Sequence, residues 1–216
     1  MIANGRCANS KVKLSIETKE IVELAETVPW GSIRKQVGFC EGIPEVLRGL
    51  TSADPAVCER SYWQIDNSLI VQNDLHEGAF YVAPFLVALL RTECIIGRTA
   101  IYGLLDEISR GAATGSEFVH FTTRPARFPF YVPQPGGEEV LLRVACRNAV
   151  ASGIHIYLEE VATVKSPART AALDLLENFV EHGPLIIFCL EPILASEADE
   201  AFCNQLRAAI QELRMK

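Results

Sequence analysis

The sequence predicts an all-α fold, an α-solenoid of antiparallel helix pairs with one long aromatic and proline-rich insert. Three observations lead there. Apolar residues recur at i, i+3, i+4 and i+7 from about Thr18 onward, while strand-like alternation is scarce. One segment also echoes another: Arg98-Thr99-Ala100-Ile101-Tyr102-Gly103-Leu104-Leu105-Asp106-Glu107-Ile108 aligns with Arg169-Thr170-Ala171-Ala172-Leu173-Asp174-Leu175-Leu176-Glu177-Asn178-Phe179, with five of eleven positions identical. Such self-similarity marks stacked units, because a lone helix pair cannot bury its apolar faces without a neighbour. Finally, Asp54-Pro55-Ala56 and Ser166-Pro167-Ala168 start two helices in the same way, with a capping side chain before a proline whose missing N–H costs nothing there.

In chain order, the periodicity predicts helices over Thr18 to Glu26, Ile43 to Leu50, Pro55 to Val71, Gly78 to Arg91, Arg98 to Arg110, Glu138 to Ser152, Ile154 to Val164, Pro167 to Glu181, Leu185 to Ala195 and Ala198 to Leu213. Breaks fall at Gly97, Gly111, Gly115, Gly136-Gly137, Gly153 and Gly183-Pro184. His182, beside Gly183, reads as the end of its helix, facing the negative end of the dipole. The connections are short, which favours antiparallel neighbours.

Residues 112–137 depart from this pattern. They hold four of the ten Phe (Phe118, Phe121, Phe128, Phe130) and four of the eleven Pro (Pro125, Pro129, Pro133, Pro135). The echoed helices start 71 residues apart, and setting aside the 26 insert residues leaves 45, inside the roughly 40–47 of HEAT-type repeats. The segment therefore reads as an inserted loop, with room for a short extended hairpin, in a single helical-repeat domain of residues 1–216 whose first 16 residues are flexible.

A resemblance can be named on these residues. Asp54-Pro55, Val71-Gln72, Glu77-Gly78-Ala79, Val82-Ala83-Pro84-Phe85-Leu86 and Leu89-Leu90, followed by Arg98 and Leu104-Leu105, resemble bacterial HEAT-repeat-like proteins of the armadillo-type fold. The likeness covers about a third of the chain well, from Ile43 to Gly111, and Ala145 to Val180 loosely. It implies an α-solenoid scaffold, and some members of that group act as immunity proteins beside bacterial toxins. Architecture follows from such a likeness more firmly than activity does.

Composition narrows the function. A formal charge of −7 and a pI near 5.2 disfavour nucleic acid and anionic membrane as partners and favour a basic protein. Met1 to Ser15 lacks the apolar centre of a signal peptide, and the apolar run Ala79 to Leu90 is too short to span a bilayer. The expected location is cytoplasmic. Seven scattered cysteines without C-x-x-C spacing read as reduced, mostly buried thiols.

Motifs for chemistry are sparse, and no cofactor or metal is expected. His76-Glu77 opens like a zinc-protease helix, but Phe80 stands where the second His must fall. Ser32-Ile33-Arg34-Lys35 matches S-x-x-K without its companion motifs. His155 and Glu159 lie one helical turn apart, a spacing that could set two metal ligands on one face but far more often marks a surface hydrogen bond or ion pair. Two regions remain as candidate partner-binding surfaces. One is the insert, with Phe118, His120, Phe121, Arg124, Arg127, Phe128 and Tyr131, since aromatic and Arg side chains anchor protein interfaces. The aromatics have an alternative role, folding back to cap the apolar edge between repeats. The other is a polar, acidic ridge of Asp66, Asn67, Asp74, His76 and Glu77. The expected function is non-enzymatic protein binding, in its most specific form an immunity-type inhibitor of a basic toxin. The alternatives are a helical-repeat enzyme resembling a DNA glycosylase and a general scaffold or assembly factor.

Overall fold

A computed structural model describes residues 17–92, 96–113, 117–126 and 130–215. Helices dominate, and ten of four residues or more are present among the described residues: α1 Thr18–Glu26, α2 Ile43–Leu50, α3 Pro55–Leu69, α4 Glu77–Leu89, α5 Arg98–Arg110, α6 Leu142–Ala151, α7 Ile154–Ala162, α8 Arg169–Glu177, α9 Gly183–Ser196 and α10 Glu200–Met215. Each overlaps a predicted helix. The corrections lie at the ends and in two small sheets.

The third helix was expected to reach Val71, but it stops at Leu69. Ile70–Val71 (β1) and Asp74–Leu75 (β2) form a two-residue hairpin whose turn residues, Gln72 and Asn73, take φ of +52° and +68°. Left-handed backbone at both turn positions matches the twist of paired strands and cannot continue a helix. The insert carries the extended hairpin for which the sequence left room, and a third strand beside it. Phe118–Pro125 (β3), Tyr131–Pro135 (β4) and Glu138–Leu141 (β5) make an antiparallel sheet in the order β4-β3-β5. Gly136 and Gly137, both near φ +100°, turn the chain so that residues 138–141, read from sequence as helix, pair with β3 instead. The helix before Gly183 ends at Glu177 rather than Glu181; His182 closes a separate 3-10 turn, Val180–His182, and is at the same time the N-cap of α9, whose first turn holds Gly183-Pro184.

Packing follows composition. α4, apolar on every side, is buried on every side, as such a helix must be. The consecutive helices α2 and α3, α4 and α5, α7 and α8, and α9 and α10 pack against each other. Their second members also touch in series, α3 on α5, α5 on α8 and α8 on α10, while α6 leans on α4 and α5. One apolar cluster runs from Ile21 to Leu213 and includes Leu47, Phe85, Leu104, Leu105, Tyr157, Leu175, Leu176 and Leu206. Two glycines permit its closest backbone approaches. A Cβ on Gly97 would stand 1.9 Å from the Leu50 carbonyl oxygen, and one on Gly49 would stand 2.0 Å from Ser61 Oγ.

The echoed arginines do the same work in two places. Arg98, first in α5, donates to the carbonyls of Leu90 (2.5 Å) and Thr92 (3.0 Å) just past α4, and to Glu160 Oε2 of α7 at 2.7 Å. Arg169, first in α8, donates to the Val161 carbonyl at the end of α7 (2.6 Å) and to Glu197, the residue after α9, and lies 3.8 Å over the Phe202 ring. Each therefore ties the end of the preceding helix, whose last carbonyls lack helical partners, to a carboxylate one helix pair further on.

Candidate protein-interaction face

The sheet divides the insert's aromatics into two sets. Phe121 meets Phe80 of α4 with ring centroids 4.6 Å apart, Phe130 meets Phe85 at 5.4 Å, and Tyr81 donates its hydroxyl to the His120 carbonyl at 3.0 Å. Val119 and Val132 are fully buried beneath them. This half of the insert caps the core. Phe118 (46% exposed) and Tyr131 (57%) point outward, and Phe118 is paired in register with the exposed Leu141. The His120 side chain is exposed, and Arg124 donates to Thr27 Oγ1 at 2.8 Å, pinning the strand to α1. Arg127 and Phe128 lie outside the described residues.

The acidic ridge also divides. Glu77 Oε2 accepts from the Arg34 amide at 2.9 Å while the Gly78 amide donates to the Arg34 carbonyl, so Glu77 fixes the loop before α2. His76 precedes α4 without a side-chain capping bond, and Asp74 sits in β2 beside Ala112. Asn67 is exposed on α3. Asp66 belongs to another group.

That group runs across the row of second helices. On α3, Tyr62 donates its hydroxyl to Glu107 Oε1 of α5 at 2.7 Å, and its ring lies against the half-exposed Trp63 at 5.0 Å. Burial raises the Glu107 carboxyl above its ordinary range. A hydrogen bond to Asp66 and the charges of Asp66 and Asp106 add to this, against the lowering effect of Tyr62. Asp174 on α8 is raised too, by burial and by the charge of Asp106. Asp106 itself pairs with Arg110 and accepts from Asn178 Nδ2 at 2.7 Å. Asp66, Glu107, Asp106 and Asp174 thus form an acidic strip over three successive helices, edged by an aromatic pair. Asp106, Glu107 and Asp174 were not singled out from the sequence, although the echo holds a signal: Asp106 aligns with Glu177, so an acid recurs at one position of the two similar segments.

Other candidates resolve into structural roles. His155 Nε2 is 2.6 Å from an Arg91 Nη, and burial together with that cation lowers the imidazole's affinity for a proton. Ser32 Oγ donates to the Pro29 carbonyl. Cys40, Cys58, Cys146 and Cys203 are buried thiols, and burial pushes the Cys40 thiol up to about 12. A shallow hollow of about 420 Å³ is lined by Glu26, Pro29, Trp30, Glu41 and Glu45 among others, and holds none of the candidate residues. Among the described residues, no three His, Cys, Asp or Glu side chains gather as a metal cage, and no single helix is long and apolar enough to cross a membrane. No family model, no curated protein and no solved structure matches this chain.

Proposed function

We propose that this chain is a protein-binding α-solenoid of HEAT type whose acidic strip on α3, α5 and α8 receives a basic protein. The observation that carries the reading is the gathering of Asp66, Asp106, Glu107 and Asp174 with raised carboxyls at Glu107 and Asp174. Holding like charges together disfavours folding, and a cost of that kind concentrates at functional sites. The side-by-side contacts of α3, α5, α8 and α10, and the matched joints at Arg98 and Arg169, support the repeat arrangement. Tyr62 and Trp63 supply an aromatic edge on which an Arg or Lys side chain can stack while the carboxylates hold its charge.

The outward half of the insert, Phe118 with Leu141, is a second contact on this reading, whereas Phe121 is not. Binding occludes the partner's basic surface, and the acidic field speeds encounter and discriminates among partners. An immunity-type inhibitor of a basic toxin is the most specific form of the proposal, and a general scaffold the blander one. The test is co-purification from the native host with parent protein and an Asp66→Asn/Glu107→Gln/Asp174→Asn variant. The parent should capture a basic protein that elutes at high salt and that the variant loses although its melting temperature does not fall. Equal capture by both proteins would overturn the strip as the binding face.

A further inference from the structure

We propose that the outward face of α9 joins two copies of this chain, antiparallel about a two-fold axis at the height of Leu190. α9 reads Gly-Pro-Leu-Ile-Ile-Phe-Cys-Leu-Glu-Pro-Ile-Leu-Ala-Ser, yet only Gly183, Ile186 and Leu190 are buried. The opposite side carries Pro184, Leu185 (54% exposed), Phe188 (74%), Pro192 and Ala195. A solvent-facing helix should be polar there. The neighbouring α10 obeys that rule, with Asn204, Arg207, Gln211 and Arg214 exposed. The anomaly therefore sets α9 apart from the helix beside it.

Two features select a second copy as the occupant. The first is charge: the sole ionisable acid or base on this outward face, Glu191, is neutralised by Arg214 at 2.6 Å, so nothing repels an identical face, and Glu191 of one copy can exchange Arg214 with the other. The acidic strip lies on the helices of the other row, leaving it clear of such a contact. The second is shape. In an antiparallel pair centred at residue 190, Leu185 meets Ala195 of the second copy, Phe188 meets Pro192, and Pro184 meets Ser196. Leu185 thus opposes a small side chain and Phe188 a shorter one, which is the self-complementarity a two-fold contact demands. A membrane surface fits poorly, because helices that lie on membranes are rich in Lys and Arg on the polar side and α9 contains neither.

Sedimentation velocity over about 1–200 μM, the range in which a small contact of micromolar affinity reports itself, tests the proposal. The parent should shift from monomer to dimer with concentration. Phe188→Glu should weaken the dimer at least about tenfold with an unchanged melting temperature, since a central aromatic contributes twice. Ala195→Leu alone should weaken it by opposing two large side chains, and adding Leu185→Ala should restore it. A parent that stays monomeric, a dimer indifferent to Phe188→Glu, or flotation of the parent with phosphatidylcholine/phosphatidylserine vesicles that Phe188→Glu abolishes would each overturn the proposal.

Discussion

Replacing Arg98 with Ala tests whether the joints between helix pairs hold the array together. In the parent, Glu160 is 5% exposed and accepts from Arg98 Nε at 2.7 Å, from the Tyr102 hydroxyl at 3.3 Å and from the Ser166 hydroxyl. Removing the guanidinium leaves a buried carboxylate without a cation and leaves the Leu90 and Thr92 carbonyls without their donor. Breaking a buried pair from one side costs about 3–5 kcal/mol. The side chain of Arg98 is 19% exposed and two hydroxyl donors stay on Glu160, so the lower end, about 3 kcal/mol, applies. For a chain of this length that corresponds to a fall in melting temperature of about 6–12 °C. Urea denaturation followed by far-ultraviolet circular dichroism reads the loss directly. The double variant Arg98→Met/Glu160→Gln removes both charges while keeping an acceptor for Tyr102 and Ser166, and should recover at least half of it. An Arg98→Ala protein within about 1 kcal/mol of the parent would refute the reasoning, since the joint would then be carrying no strain-free load that its loss exposes.

Three further outcomes are expected. Leu104→Ala/Leu105→Ala, both fully buried in the parent, should cost about 2–5 kcal/mol at each site and leave little folded protein at 37 °C, which calorimetry would show. Phe121→Ala should lower stability by about 2 kcal/mol through its lost contact with Phe80, whereas Phe118→Ala, half-exposed, should stay within about 0.5 kcal/mol; equal losses in a thermal melt would contradict the division of the insert. Because the Glu107 and Asp174 carboxyls are raised in the folded chain, the folded state holds extra protons just above the unfolded values of 4.5 and 3.8, and their contribution to stability falls as pH rises through that window. Glu107→Gln/Asp174→Asn should therefore raise the melting temperature at pH 7 by a few degrees, about the effect of relieving exposed like-charge contacts, and do little at pH 4. A rise confined to pH 4 would reverse the sign of the argument.

Much of the candidate site escaped the sequence for one physical reason: the residues that form it are far apart along the chain. Asp66 was visible as part of a polar stretch, but its partners Glu107 and Tyr62 meet only because α3 lies on α5. Asp74 and Glu77 looked like its companions, being close in sequence, yet the β1–β2 turn and the start of α4 commit them to backbone and loop contacts instead. In the insert, aromatic content announced importance without direction. Strand alternation and the position of α4 decided that Phe121 turns in and Phe118 turns out.

Local preferences fixed the helices, since periodic apolar residues, the Asp54 cap (whose side chain accepts from the Ala56 amide at 2.9 Å) and proline-led starts act within a few neighbouring residues and need no distant partner. The repeated Arg-Thr-Ala opening also stood in the sequence, whereas the joints that its arginines make came from the structure. Which carboxylates converge, which face of α9 is left apolar and how the insert's strands pair depend on contacts between residues that lie from 6 positions apart (Pro125 and Tyr131) to 68 (Asp106 and Asp174). Only the folded chain supplies those, because burial and charge act through space and not along the sequence.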